Sequence, residues 1–171
     1  MTISKDLFLS ILAMDAYSQG YDAAIEHGFD KIGSASRGKD AQQLLEQGLS
    51  EEAGFYALSY NIGFGVEGIN AGTTVPSFRG TDYPLEGDAN KYIDLLRGWF
   101  VGAGDGLAVD IAKQDDLTIA FYEAALERSI FDAGTGDNVT ITGHSLGGGL
   151  AGYASLISGA DAVGFDHMPI N

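Results

Sequence analysis

Apolar residues recur at helical spacing near the start of the chain. Leu7, Phe8, Ile11, Leu12, Met14 and Ala16 predict an amphipathic helix over Lys5 to Tyr17, ended by Gly20. From Tyr21 to Gly54 the pattern is mixed, apart from a predicted helix over Asp40–Gln47 that Gly48 stops. Phe55–Ile62 is aromatic and alternating, which predicts a strand. Thr73–Arg79 predicts a second, although Pro76 cannot donate a ladder hydrogen bond. The glycine-rich stretch 63–72 between them predicts a hairpin. Asp115–Ser129 carries Leu117, Ala120, Phe121, Ala124 and Ala125 along one side and predicts a helix. Gly134–Asp137 reads as a turn. A β-branched strand (Asn138–Thr142), a small apolar helix (Gly148–Ile157) and a buried strand (Ala162–Phe165) complete the pattern.

Strands and helices alternate after residue 107, which implies a parallel sheet. The expected fold class is α/β: one mostly parallel sheet, with the antiparallel N-terminal hairpin of residues 55–79 at its side. A length of 171 residues predicts a single domain with a real core.

Composition narrows the function classes. The net charge of −15 leaves no basic patch for phosphates, so nucleic acid is not an expected partner. An anionic membrane surface is disfavoured for the same reason. No apolar run reaches transmembrane length, so no integral membrane segment is expected. The N-terminus lacks a basic lead-in and is interrupted by Asp6 and Asp15, so it reads as a helix and not a signal peptide. Cysteine is absent, which removes disulfides and thiol chemistry. That fits a cytoplasmic chain and equally one exported without cysteines.

The candidate chemistry lies between the last two predicted strands. Gly143-His144-Ser145-Leu146-Gly147 reads G-x-S-x-G, preceded by a strand and followed by a helix. That context is the one a nucleophile elbow requires. A sharp turn lifts the Ser145 hydroxyl clear of the sheet, and Gly143 and Gly147 remove side chains that would collide there. The helix N-terminus offers N–H groups to a developing oxyanion. His144, next to Ser145 at a tight turn, is expected to point away from it and to serve structure.

A second stretch, Phe78-Arg79-Gly80-Thr81, follows the second predicted strand. F-R-G-T together with G-H-S-L-G-G at Gly143–Gly148 resembles the class 3 (fungal-type) lipase family, with its α/β-hydrolase fold. The resemblance covers about residues 50 to 171. It implies Ser145 as the catalytic nucleophile, with the backbone N–H groups of Leu146 and Thr81 as oxyanion donors and the Thr81 hydroxyl as a helper. Residues 83–106, with Leu95, Leu96, Trp99 and Phe100 between glycines, stand in the family's lid position; a permanently buried core helix is the other reading. Arg79 and Asp82 have the charges to pair and hold the loop.

A serine nucleophile also needs a base, and the base an orienting acid. In the class 3 family both lie well downstream of the elbow. The histidines here are His27, His144 and His167. Asp166 and His167 fall at the end of the last predicted strand, where neighbours face opposite ways, so they are not expected to pair. The triad Asp and His are therefore not located in this chain. The expectation is the N-terminal part of a longer hydrolase, completed by a C-terminal remainder or a second chain. The expected activity is that of a serine ester hydrolase of lipase or esterase type. It would act on an acyl-ester or lipid substrate through an acyl-enzyme on Ser145, with no metal or organic cofactor. The alternative is an incomplete, non-catalytic scaffold that binds a lipid or protein partner.

Overall fold

The computed structural model describes residues 3–17, 31–45, 55–80 and 107–167. Within them, six strands form one sheet in chain order: β1 (Lys31–Ile32), β2 (Ala35–Asp40), β3 (Ala57–Ile62), β4 (Thr74–Phe78), β5 (Thr140–His144) and β6 (Asp161–Phe165). β1 to β4 form an antiparallel meander, and β4, β5 and β6 run parallel. The helices described are α1 (Lys5–Asp15), α2 (Ala41–Leu44), α3 (Leu107–Leu126) and α4 (Leu146–Ser158). The fold is α/β, as expected, and like an α/β-hydrolase in its parallel part. The antiparallel part is larger than a single hairpin. Neither β1 nor β2 was expected, because Ser36, Arg37, Gly38 and Lys39 hide any apolar alternation. A tight turn at Gly33, with φ 58°, joins the two.

Each face of the sheet carries its own core. On one face Phe8, Leu9 and Leu12 of α1 pack with Leu58, Tyr60, Ile62 and Val75. On the other, Phe55, Phe78 and Phe121 pack with Ile141, Leu150 and Ala154. Phe78 and Phe121 meet edge to face at 5.9 Å, and burying each such ring contributes about 1.5–3 kcal/mol. Alternate residues of β4 serve the two faces: Val75 faces α1 and Phe78 the opposite core. The outer side of α1 stays apolar, with Leu7, Ile11 and Met14 exposed. The predicted helix is therefore present, but half of its apolar positions do not enter the core.

Pro76 is accommodated by a gap in the ladder. Thr74 N–H donates to the Asn138 carbonyl at 2.9 Å, so the nitrogen of residue 76 faces β5 as well. The parallel pairing with β5 resumes only at Ser77, opposite Thr142. On its other edge β4 pairs with β3 without interruption through Pro76.

The predicted helix over Asp115–Ser129 begins earlier, at Leu107, and ends at Leu126. Glu127 turns left-handed with φ 53°, and Arg128 N–H returns to the Glu123 carbonyl at 3.2 Å. That closes the helix in the manner of a glycine C-cap without a glycine. The Glu123 carboxylate accepts from Ser129 Oγ at 2.9 Å and Ile130 N at 3.0 Å. The predicted helix over Asp40–Gln47 is only one turn, α2, with Asp40 and Gln43 forming a capping box and Leu45 already extended. Thr81, Asp82 and the proposed lid at 83–106 lie outside the described residues, as does His27. Among the described residues no helix is long and apolar enough to cross a membrane.

Candidate active site

β5 ends at His144 and α4 begins at Leu146, so Ser145 alone makes the turn. Its backbone sits at φ 57°, ψ −124°, a region that side chains rarely occupy. Backbone hydrogen bonds hold it there. Ser145 N–H donates to the Phe165 carbonyl at 3.0 Å, which ties the turn to β6, and the Ser145 carbonyl accepts from Gly148 N at 3.0 Å. The Ser145 hydroxyl caps nothing on α4. The first N–H groups of a helix have no intrahelical acceptor, and that of Leu146 is the first of α4.

The glycines leave room for backbone. A Cβ at Gly143 would overlap Gly147 and stand 2.8 Å from the Phe78 carbonyl oxygen. A Cβ at Gly147 would overlap that same oxygen and stand 2.7 Å from the Arg79 carbonyl carbon. Further along α4, Gly148 lets His167 pack against the helix, since a Cβ there would lie 2.6 Å from that of His167. Glycine inside a helix costs about 1 kcal/mol; here the close approach of β4, β5 and the 166–167 turn requires it.

The end of β4 also reaches Ser145. A Cβ at Gly80 would stand 3.0 Å from the Ser145 Cβ and 2.7 Å from the His144 carbonyl oxygen, and would overlap the Tyr17 hydroxyl. The structure thus brings the F-R-G segment against the elbow as far as Gly80. Arg79 is buried, with its guanidinium 4.8 Å above the Tyr56 ring, and its N–H donates to the Tyr56 carbonyl at 3.0 Å. Burial lowers its pKa, and the nearby tyrosines oppose that shift.

His144 hydrogen-bonds away from Ser145. Its Nδ1 lies 2.9 Å from the Tyr17 hydroxyl, with the two rings edge to face at 5.6 Å. Nothing in the sequence marks Tyr17, which stands three positions beyond Met14 at the end of the predicted helix. The same hydroxyl accepts from Gly80 N–H at 2.9 Å.

Asp166 and His167 lie past the end of β6, in a bend where Asp166 has φ 47°. The expectation that strand alternation would separate them does not apply there. Both are exposed, and neither side chain hydrogen-bonds to another described residue.

Behind the site, Asp15 at the end of α1 receives Arg37 at 2.7 Å and the Tyr60 hydroxyl at 2.6 Å. Burial and the Asp15 hydrogen bond both push the Tyr60 pKa well up. For Arg37 burial pulls the pKa down, but the hydrogen bond and charge of Asp15 outweigh it, so the net direction is up.

A serine on a strained strand-to-helix turn, backed by a glycine-lined strand end, is a hydrolase-like arrangement. Comparison with known proteins agrees. Residues 9–168 match the model of the Tle-like phospholipase domain, a phospholipase-like family. The chain belongs to the Tle-like phospholipase domain family. An extracellular phospholipase A1 of Serratia liquefaciens is 30% identical over 165 residues, covering 94% of this chain and 41% of that protein. The chain therefore spans about two-fifths of the length of this relative. The resemblance to class 3 lipases holds at the coarser level of a lipase or phospholipase. At that level this Tle-like phospholipase domain is kin to lipase-type ester hydrolases.

Proposed function

We propose that this domain carries the nucleophile of a serine hydrolase acting on the carboxylic esters of phospholipids. The observation that carries the reading is the backbone of Ser145, at φ 57°, ψ −124° between β5 and α4. The Ser145 hydroxyl gives its proton to the base and attacks the ester carbonyl; the lysophospholipid alcohol leaves with that proton, and water then hydrolyses the acyl-enzyme to free the fatty acid and restore the serine. The Leu146 N–H and the Thr81 N–H receive the oxyanion, aided by the Thr81 hydroxyl. The substrate class rests on the family and on the phospholipase A1 relative. The two motifs at Phe78–Thr81 and Gly143–Gly148 favour the class 3 lipase branch as the nearer kin, with triacylglycerol as a competing substrate. Among the described residues no histidine and acid meet at Ser145; this reading places the base and its acid outside them, in a C-terminal remainder or a second chain.

A fluorophosphonate probe tests the nucleophile directly, because it phosphonylates only an activated serine, with loss of fluoride. Labelling that maps to Ser145 and disappears in Ser145→Ala is the expected result. Labelling that survives the substitution, or none in the unaltered protein when the part that supplies the base and acid is present, overturns it and leaves the non-catalytic scaffold. Hydrolysis of phosphatidylcholine against triacylglycerol in the same micelles then decides the substrate.

A further inference from the structure

We propose that Tyr17 is a positioning residue that holds the oxyanion-side strand end against the nucleophile turn; the proposal rests on the reading of Ser145 given above. The hydroxyl of Tyr17 spans two segments far apart in sequence. It accepts from Gly80 N–H at 2.9 Å, at the end of β4, and lies 2.9 Å from His144 Nδ1 and 3.4 Å from the His144 carbonyl oxygen. His144 directly precedes the serine, and Gly80 directly precedes Thr81. Whichever atom of His144 takes part, the hydroxyl bridges the loop that offers one oxyanion donor and the turn that offers the nucleophile and the other.

The hydroxyl is itself well anchored. Tyr17 leaves the last turn of α1, with its N–H on the Met14 carbonyl at 3.0 Å. That turn is fixed by Ser77 Oγ on the Leu12 carbonyl at 3.1 Å and by the Asp15 contacts with Arg37 and Tyr60. Gly80 completes the fit, since a Cβ there would overlap the Tyr17 hydroxyl. Without this bridge, two donors on separate loops would have to find a common focus by themselves. Misplacing such a group by about 1 Å costs roughly 100-fold in rate.

Tyr17→Phe removes the bridge and keeps the ring. The maximal rate of fluorophosphonate labelling of Ser145 is expected to fall roughly 10- to 100-fold, with the probe concentration for half-maximal rate unchanged. The Gly80 amide is expected to lose hydrogen-exchange protection. Tyr122→Phe is the control: it deletes a buried hydroxyl that donates to the Thr135 carbonyl at 2.8 Å, away from the site. It should lower the melting temperature and leave labelling alone. An unchanged labelling rate in Tyr17→Phe, or an equal fall in Tyr122→Phe, overturns the Tyr17 proposal while the nucleophile stands. With the part that supplies the base and acid present, no labelling in the unaltered protein overturns the nucleophile and the Tyr17 proposal with it.

Discussion

The carbonyl oxygen of Phe78 fills the space in which a side chain at Gly147 would begin. The second glycine of G-x-S-x-G is therefore a packing requirement between α4 and the end of β4. Backbone cannot yield as a flexible side chain can. Gly147→Ala is expected to cost on the order of 4 kcal/mol, at the extreme of single substitutions. Gly152, on the same helix, meets nothing within 4 Å of where its Cβ would stand. Gly152→Ala should stabilise by about 0.5–1 kcal/mol through helix propensity. Paired urea titrations would check both, and a mild effect at Gly147 would contradict the close approach.

Asp15 accepts from both Arg37 and Tyr60, and its carboxylate is largely buried. Removing a partner strands charge in a poorly solvated place. Arg37→Met should destabilise by about 3 kcal/mol, and Tyr60→Phe by about 1–2 kcal/mol. Because the two share one acceptor, the double variant should depart from the sum of the singles. Additive losses by denaturant titration would show that the groups act independently.

Much of this was legible in the sequence where local pattern and tertiary demand agree. The strand at Phe55–Ile62 alternates because its two faces meet different cores, and the elbow declares itself through glycines that backbone contact requires. Legibility failed where partners are distant. β2 is polar because Arg37 faces Asp15, a residue on α1, so alternation is absent. Tyr17 has no motif; its meaning comes from Gly80 and His144, which only the fold brings near. The strand at Ala162–Phe165 is legible, but the alternation expected of Asp166 and His167 at its end fails because nothing local announces the bend after Phe165.

Asp115 gives a pH-dependent prediction. Burial, and then the charge of Asp116, raise its pKa above the ordinary 3.8, and its Oδ1 has no hydrogen-bond partner among the described residues. A raised folded-state value means the folded chain holds the proton more tightly than the unfolded one. The associated stability is full below the ordinary value and is lost as pH rises through the folded value. Near neutral pH the ionised Asp115 is therefore a cost. Asp115→Asn should melt at a higher temperature than the parent at neutral pH, with the advantage shrinking as pH falls toward the ordinary carboxylate range. Melting curves across that range check it, and an advantage independent of pH would refute the cause.

Ser145 offers a test of strain that needs no activity. With φ 57° and ψ −124°, it occupies a region natural only to glycine. Ser145→Ala and Ser145→Gly both delete the hydroxyl, but only glycine relaxes the backbone. The relief is about 1–3 kcal/mol, offset by about 0.5–1 kcal/mol because glycine gives the unfolded chain more freedom. The glycine variant should therefore be more stable than the alanine variant by about 1 kcal/mol. Urea titration of the two proteins gives the difference directly. If alanine proves the more stable, the turn holds Ser145 without strain. If glycine does, the fold maintains a serine at an energetic cost that its own stability does not require, as expected of a residue kept for reactivity.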